Sequence, residues 1–227
     1  MQKPKNRKVS NPLGLAVLVC LYEQPMHPYQ ISTTLKERAK EKSIKLNYGS
    51  LYTVINALEK ARFVEVQGKE QQGQRPERTV YEITEKGLAE LQDWMRELLS
   101  RPFKEYPRFM AALSLIPSLP PDEVVSLLRE RQDRLRGKIL AIHDALQRSG
   151  EQGVDRLFTI EVEYELAMME AERRWVGGLI KNIKESPGFG EKWATLLSQV
   201  HEALQSRLKE KKDSEPRQKR IADHPTK

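Results

Sequence analysis

The chain has one cysteine in 227 residues, Cys20, so no disulfide can form within it and a cystine-stapled secreted scaffold is excluded. Cys20 sits inside the apolar run from Leu15 to Tyr22, where a buried structural thiol is expected. Histidine is scarce: His27, His143, His201 and His224 lie far apart, none with a cysteine or histidine partner at metal-ligand spacing. A zinc site is therefore not expected, and neither is any other metal. No glycine-rich phosphate loop follows a strand, since Gly68 and Gly73 belong to a hairpin tip. The acidic residues Glu161, Glu163, Glu165, Glu170 and Glu172 spread around a helix, a pattern expected of a solvated face pairing with Arg173 and Arg174. Nothing in this inventory supplies a catalytic constellation, so neither an enzyme nor a cofactor is expected. No apolar run reaches membrane-spanning length. Residues Met1 to Ser10 are basic, without the apolar core of a signal peptide behind them, so a cytoplasmic location is expected.

What the chain does have is charge and order. Charged residues make up 31%, with a net charge of +7 and an isoelectric point near 9.4, which suits a partner such as a polyanion. From Tyr48 to Arg62, Leu51, Ile55 and Leu58 recur at helical spacing, leaving Tyr52, Thr53, Asn56 and Lys60 on the other face. Phe63 to Val66 and Thr79 to Ile83 alternate as strands. Between them, Gln67 to Arg78 holds two glycines and a proline, which argue against regular structure. A helix with a polar outer face followed by a hairpin with an arginine-bearing tip is a winged helix-turn-helix. In that arrangement Tyr52, Thr53 and Asn56 are candidates for base edges, and asparagine can pair bidentately with adenine. Ser50, near the positive helix N-terminus, and Tyr48 are placed for a phosphate, and Lys60 for the backbone near the other end. Arg75 and Arg78 in the wing suit phosphate or the minor groove.

Tyr48-Gly49-Ser50-Leu51-Tyr52, Leu58-Glu59-Lys60, Gly73-Gln74-Arg75-Pro76 and Tyr81-Glu82-Ile83-Thr84-Glu85-Lys86-Gly87 together resemble the PadR-like transcriptional regulators. Leu13-Gly14-Leu15-Ala16-Val17-Leu18 and Met26-His27-Pro28-Tyr29-Gln30-Ile31 match that family's first two helices. The resemblance covers about the first hundred residues closely and the remainder loosely, in the manner of the family's long form with an added helical domain. Thr53 departs from it, standing where many members have proline. The resemblance implies backbone contacts from Tyr29 and Gln30 and a C-terminal dimerisation domain. It also allows a small hydrophobic or phenolic effector held between aromatic side chains.

Asn11-Pro12 and His27-Pro28 each read as a cap followed by a first-turn proline, opening two helices. The basic run Lys36 to Lys42 reads as the end of the second helix, either a solvated end or a phosphate contact. After the wing, Leu88, Leu91, Trp94, Met95 and Leu98 predict a helix ending near Arg101-Pro102. Its apolar stripe, lying outside a minimal winged helix, is expected to need a second subunit or the C-terminal domain. A short helical piece between Pro107 and Leu119 precedes a long helix from Pro121, a turn at Ser149 to Gly153, another long helix and a last one. The two long helices form an antiparallel hairpin whose stripes are expected to pair between two chains. Trp94, Leu128, Leu135, Ile142, Tyr164, Met168 and Trp175 are the dimerisation candidates.

The expected fold is mainly α with a small β-wing. A basic flexible arm spans 1–10, the winged-helix domain with its long linking helix 11–100, a helical dimerisation domain 101–208, and a charged disordered tail 209–227. The expected function is sequence-specific regulation of transcription by a homodimeric repressor on a near-palindromic operator of double-stranded DNA. The alternative is a winged-helix protein-interaction module that does not bind DNA specifically. Clustered positive charge in the arm, at Lys36 to Lys45 and in the wing favours DNA.

Overall fold

Asn11 caps the first helix, α1 (Pro12–Glu23), by accepting the Leu13 N–H at 2.9 Å, and Pro12 occupies the first turn. This computed structural model describes residues 7–70, 77–186 and 188–214. The fold is mostly helical with one small antiparallel sheet. The chain divides into two units, one ending at Glu105 and the other beginning at Tyr106.

In the first unit, α1 is followed by α2 (Pro28–Glu37), α3 (Tyr48–Lys60), strands β1 (Val64–Glu70) and β2 (Arg78–Ile83), and α4 (Glu85–Ser100). Its core is built from Leu13, Val17, Leu18, Ile31, Leu35, Leu51, Ile55, Leu58 and Val64, with Cys20 fully buried among them. Helix α2 ends at Glu37, earlier than the basic run predicts, because Ala39 takes a left-handed conformation at φ 52°. A short 3₁₀ turn, Lys40–Lys42, follows. Strand β1 runs four residues beyond its predicted end at Val66, through Gly68 to Glu70. The register shifts between Val66, opposite Tyr81, and Gly68, opposite Val80, so Gln67 is the extra residue of a bulge and the ladder continues through the glycine. The Met26 backbone joins β2, exchanging two hydrogen bonds of 3.0 Å with Tyr81. The wing is thereby pinned to the start of α2.

Helix α4 needs no outside partner for its best apolar residues: it packs on α1, burying Leu91 and Trp94. Trp94 is therefore covered within its own unit, 4% exposed. The end of the arm is also held. Arg7, with its side chain 4% exposed, pairs with Glu90, Asp93 and Glu97 on α4 and lies 5.5 Å over the Trp94 ring. Val9 is buried beside it, in a space that Gly14 leaves open.

The second unit contains α5 (Arg108–Ser114), α6 (Pro121–Glu151), α7 (Ile160–Glu185) and α8 (Phe189–Ser214), with 3₁₀ turns at Ile116–Ser118 and Arg156–Phe158. Helices α6 and α7 form the antiparallel hairpin, turning where Gly153 takes φ 71°. Val124, Val125, Leu128, Val176, Ile183 and Trp193 make its core. Leu128 and Leu135, both named as dimerisation candidates, are buried within this unit. Three carboxylates of α7 have partners other than Arg173 and Arg174: Glu163 pairs with Arg156, Glu172 with Arg131, and Glu170 with His143. Helix α8 continues to Ser214, so the first residues of the expected tail, from Lys209, are helical; 215–227 lie outside the described residues.

Candidate nucleic-acid interface

Asn47 starts α3 by accepting the Ser50 N–H at 2.7 Å, which turns the chain into the helix at the point the apolar spacing requires. The inner face is closed: Leu51, Val54, Ile55, Leu58 and Ala61 are all buried. The outer face presents Tyr52, Thr53, Asn56 and Lys60, each exposed. Ser50 is half-buried at the first turn, and the Tyr48 side chain lies outside the described residues. Thr53 donates its hydroxyl to the Gly49 carbonyl at 2.9 Å. Its proton is thus spent inside the helix, and outward it offers only an acceptor lone pair and a methyl group.

At its far end α3 stops in a Schellman arrangement. Phe63 N–H bonds the Leu58 carbonyl at 2.9 Å, and Arg62 N–H bonds Glu59 at 2.8 Å. Arg62 occupies the left-handed position at φ 60° where glycine is usual. This backbone feature has no sequence signal. Thr84 then fastens the far end of the wing, donating to the Arg62 carbonyl at 2.9 Å and capping α4 through the Gly87 N–H at 3.0 Å. Lys86 adds a bond to the Ala61 carbonyl at 2.9 Å. Helix α3, the wing and α4 are therefore joined at one knot.

Arg78, the first residue of β2, leans on two rings. Its guanidinium lies 5.6 Å over Tyr29, and its Nη1 is 3.3 Å from His27 Nε2. His27 itself caps α2, its Nδ1 accepting the Gln30 N–H at 3.0 Å. The structure thus brings Tyr29, Gln30 and Arg78 together beside His27. Residues 27 and 78 are too far apart in sequence for any pattern to have paired them. Arg75 lies at the wing tip, outside the described residues. Arg38, in the basic run after α2, is committed elsewhere: it grips Glu23 with two bonds of 2.6 and 2.7 Å and holds that carboxyl below its ordinary range.

In the second unit, Tyr164, Met168 and Trp175 are exposed on α7, and Ile142 on α6 is half-buried. Phe109 meets Trp175 edge to face at 6.4 Å. A cavity of about 440 Å³ lies between α5 and the start of α6, lined by Phe109, Leu113, Ile116, Val124 and Leu128, with Arg131 at its edge. No cluster of histidine, cysteine or carboxylate suited to a metal occurs among the described residues, and no described helix is long and apolar enough to cross a membrane.

Residues 17–93, which contain α3 and the wing, match the transcriptional regulator PadR-like family. No curated protein matches the chain. Among solved structures, Bacillus subtilis PadR in complex with operator DNA is similar, with a TM-score of 0.62 and 19% identity over 77% of this chain and 100% of that one. The same protein in complex with p-coumaric acid has a TM-score of 0.58 and 17% identity, over 78% and 100% of the two chains. A PadR-like transcriptional regulator from Bacillus cereus has a TM-score of 0.50 and 15% identity, over 76% and 98%. At these identities the likeness establishes a common fold.

Proposed function

Because residues 17–93 match the PadR-like family of transcriptional regulators, we propose that the chain is a sequence-specific DNA-binding repressor acting as a homodimer. The observation that carries this reading is the division of α3. Its apolar residues are buried while Tyr52, Thr53, Asn56 and Lys60 stand outward beside a wing whose base carries Arg78. Helix α3 enters the major groove, with Asn56 and Tyr52 on base edges and Thr53 as an acceptor or a methyl contact to thymine. Lys60, Ser50 and Tyr48 reach the backbone there, as do Arg75 and Arg78 from the wing and Tyr29 and Gln30 from α2. Such contacts fix register and carry the salt dependence.

The dimer is made by the second unit. Tyr164, Met168 and Trp175 form an exposed apolar row on α7, with Ile142 on α6, of a kind that a second copy covers. A two-fold dimer presents two α3 helices to half-sites about one helical turn, roughly 34 Å, apart. The effector is a small aromatic or hydrophobic molecule, a reading supported by the cavity beside Phe109 and by the p-coumaric acid complex of the B. subtilis protein. A mobility-shift titration with the DNA upstream of the protein's own gene tests the function. Binding at nanomolar to tens of nanomolar protein, against much weaker binding to random duplex, is expected. Equal binding to both sinks the specific-regulator reading.

A further inference from the structure

We infer that His27 and Arg78 together form a seat for one oxygen of a DNA backbone phosphate, with His27 as a direct ligand as well as a helix cap. The inference rests on the reading that the chain binds DNA. It begins from a conflict between two short contacts. His27 Nδ1 accepts the Gln30 N–H at 3.0 Å, so that nitrogen carries no proton. A neutral imidazole then carries its proton on Nε2. Arg78 Nη1 stands 3.3 Å from that same Nε2, and a guanidinium has only donors. The contact is therefore donor facing donor, and cannot be a hydrogen bond while the cap exists. The other neutral tautomer would accept from Arg78 but turn an N–H toward the Gln30 N–H, giving up the cap. The imidazolium form would satisfy neither partner.

An anionic oxygen beside both groups removes the conflict, accepting from Nε2–H and from the guanidinium at once. Charge-assisted bonds of this kind are about twice as strong as neutral ones. Other features point the same way. Arg78 is steadied by the Tyr29 and His27 rings, which leave its charge in place. The two donors sit on rigid backbone, because Met26, next to His27, is hydrogen-bonded twice to Tyr81 of the strand that Arg78 begins. The seat lies at the junction of α2 and the wing, two elements that flank the reading helix. A phosphodiester supplies one negative charge, matching the single cation of the seat.

The test separates the cap from the seat. His27→Asn keeps an acceptor that caps α2 but removes the Nε2 donor, and His27→Ser does the same with a shorter side chain. Binding of a fluorescent mixed-sequence duplex at low salt is measured by anisotropy for the full chain, these variants, Arg78→Ala and the His27→Asn/Arg78→Ala double variant. Arg78→Ala should weaken binding and reduce the log–log salt slope by about one. His27→Asn and His27→Ser should keep the thermal midpoint and weaken binding about three- to tenfold. In the Arg78→Ala background His27→Asn should cost less than it does in the native protein, because both donors serve one oxygen. Unchanged affinity in both His27 variants, or losses that multiply in the double variant, overturns the seat. Inorganic phosphate that erases the His27 dependence, at ionic strength matched with chloride, assigns the seat to a free anion and overturns the DNA assignment. If the unaltered protein fails to bind the duplex at low salt, the DNA reading itself falls. Binding that depends on Arg78 and not on His27 removes only the seat.

Discussion

At the scale of single residues, the proposed function divides the outer face of α3 into groups that would hold DNA and groups that would discriminate. Asn56 is exposed in the middle of α3 and has both a donor and an acceptor to offer. Asn56→Ala should cost about 1–3 kcal/mol on the operator and little on random duplex, as seen in paired mobility-shift titrations. Equal losses on both would make Asn56 a positioning residue. Cys20 works differently, through burial alone. With no exposed surface, its thiol is pushed up to about 11. The folded form resists ionisation, so the stability linked to this group is intact below the pKa of the unfolded thiol. It is lost as pH rises toward 11. Comparing urea midpoints at pH 8 and 10, the native chain should lose about 1 kcal/mol more than Cys20→Ala. Equal losses in the two proteins would show that the thiol titrates freely in the fold.

At the scale of elements, the joint between α3, the wing and α4 depends on a close backbone approach. A Cβ placed on Gly87 would lie 1.9 Å from the Phe63 carbonyl oxygen. Because that atom belongs to the chain that Thr84 ties down, it cannot step aside cheaply. Gly87→Ala should destabilise the protein by at least about 3 kcal/mol in urea denaturation, with the wing and α4 displaced together. A change under about 0.5 kcal/mol would mean the joint is loose. The same elements show how far patterns reach. The caps at Asn11 and His27 and the α3 stripe of Leu51, Ile55 and Leu58 were legible because each depends on neighbours within one or two turns. The extension of β1 through Gly68 was not, since a bulge is decided by the partner strand. Nor were the left-handed Ala39 and Arg62, where packing overrides a local preference for glycine.

At the scale of the whole molecule, the second unit carries the proposed assembly. Met168 and Tyr164 are more than half exposed on α7, one turn apart, and burying them between two copies is the proposed source of dimer stability. Met168→Glu places a charge on that face without touching the core of Val124, Val176 and Trp193. Sedimentation should show the native chain as a dimer at micromolar concentration and the variant shifted toward monomer. Operator affinity should fall much further than random-duplex affinity, because linked half-sites gain from effective concentration. A variant that stays dimeric and binds normally would move the interface off α7.

The order of elements and the closed face of α3 were present in the linear pattern, because helical spacing, caps and breakers act over a few residues. Which apolar stripes are already satisfied was not. Trp94, Leu128 and Leu135 read like Tyr164, Met168 and Trp175, yet the first three are covered within their own units and the last three stand in solvent. Amphipathicity shows that a face needs a partner, and only the packing of α4 on α1 and of α6 on α7 shows which faces have found one. The meeting of His27 with Arg78 is likewise tertiary. It depends on Met26 joining β2, a long-range pairing that leaves no local trace in the residues that make it.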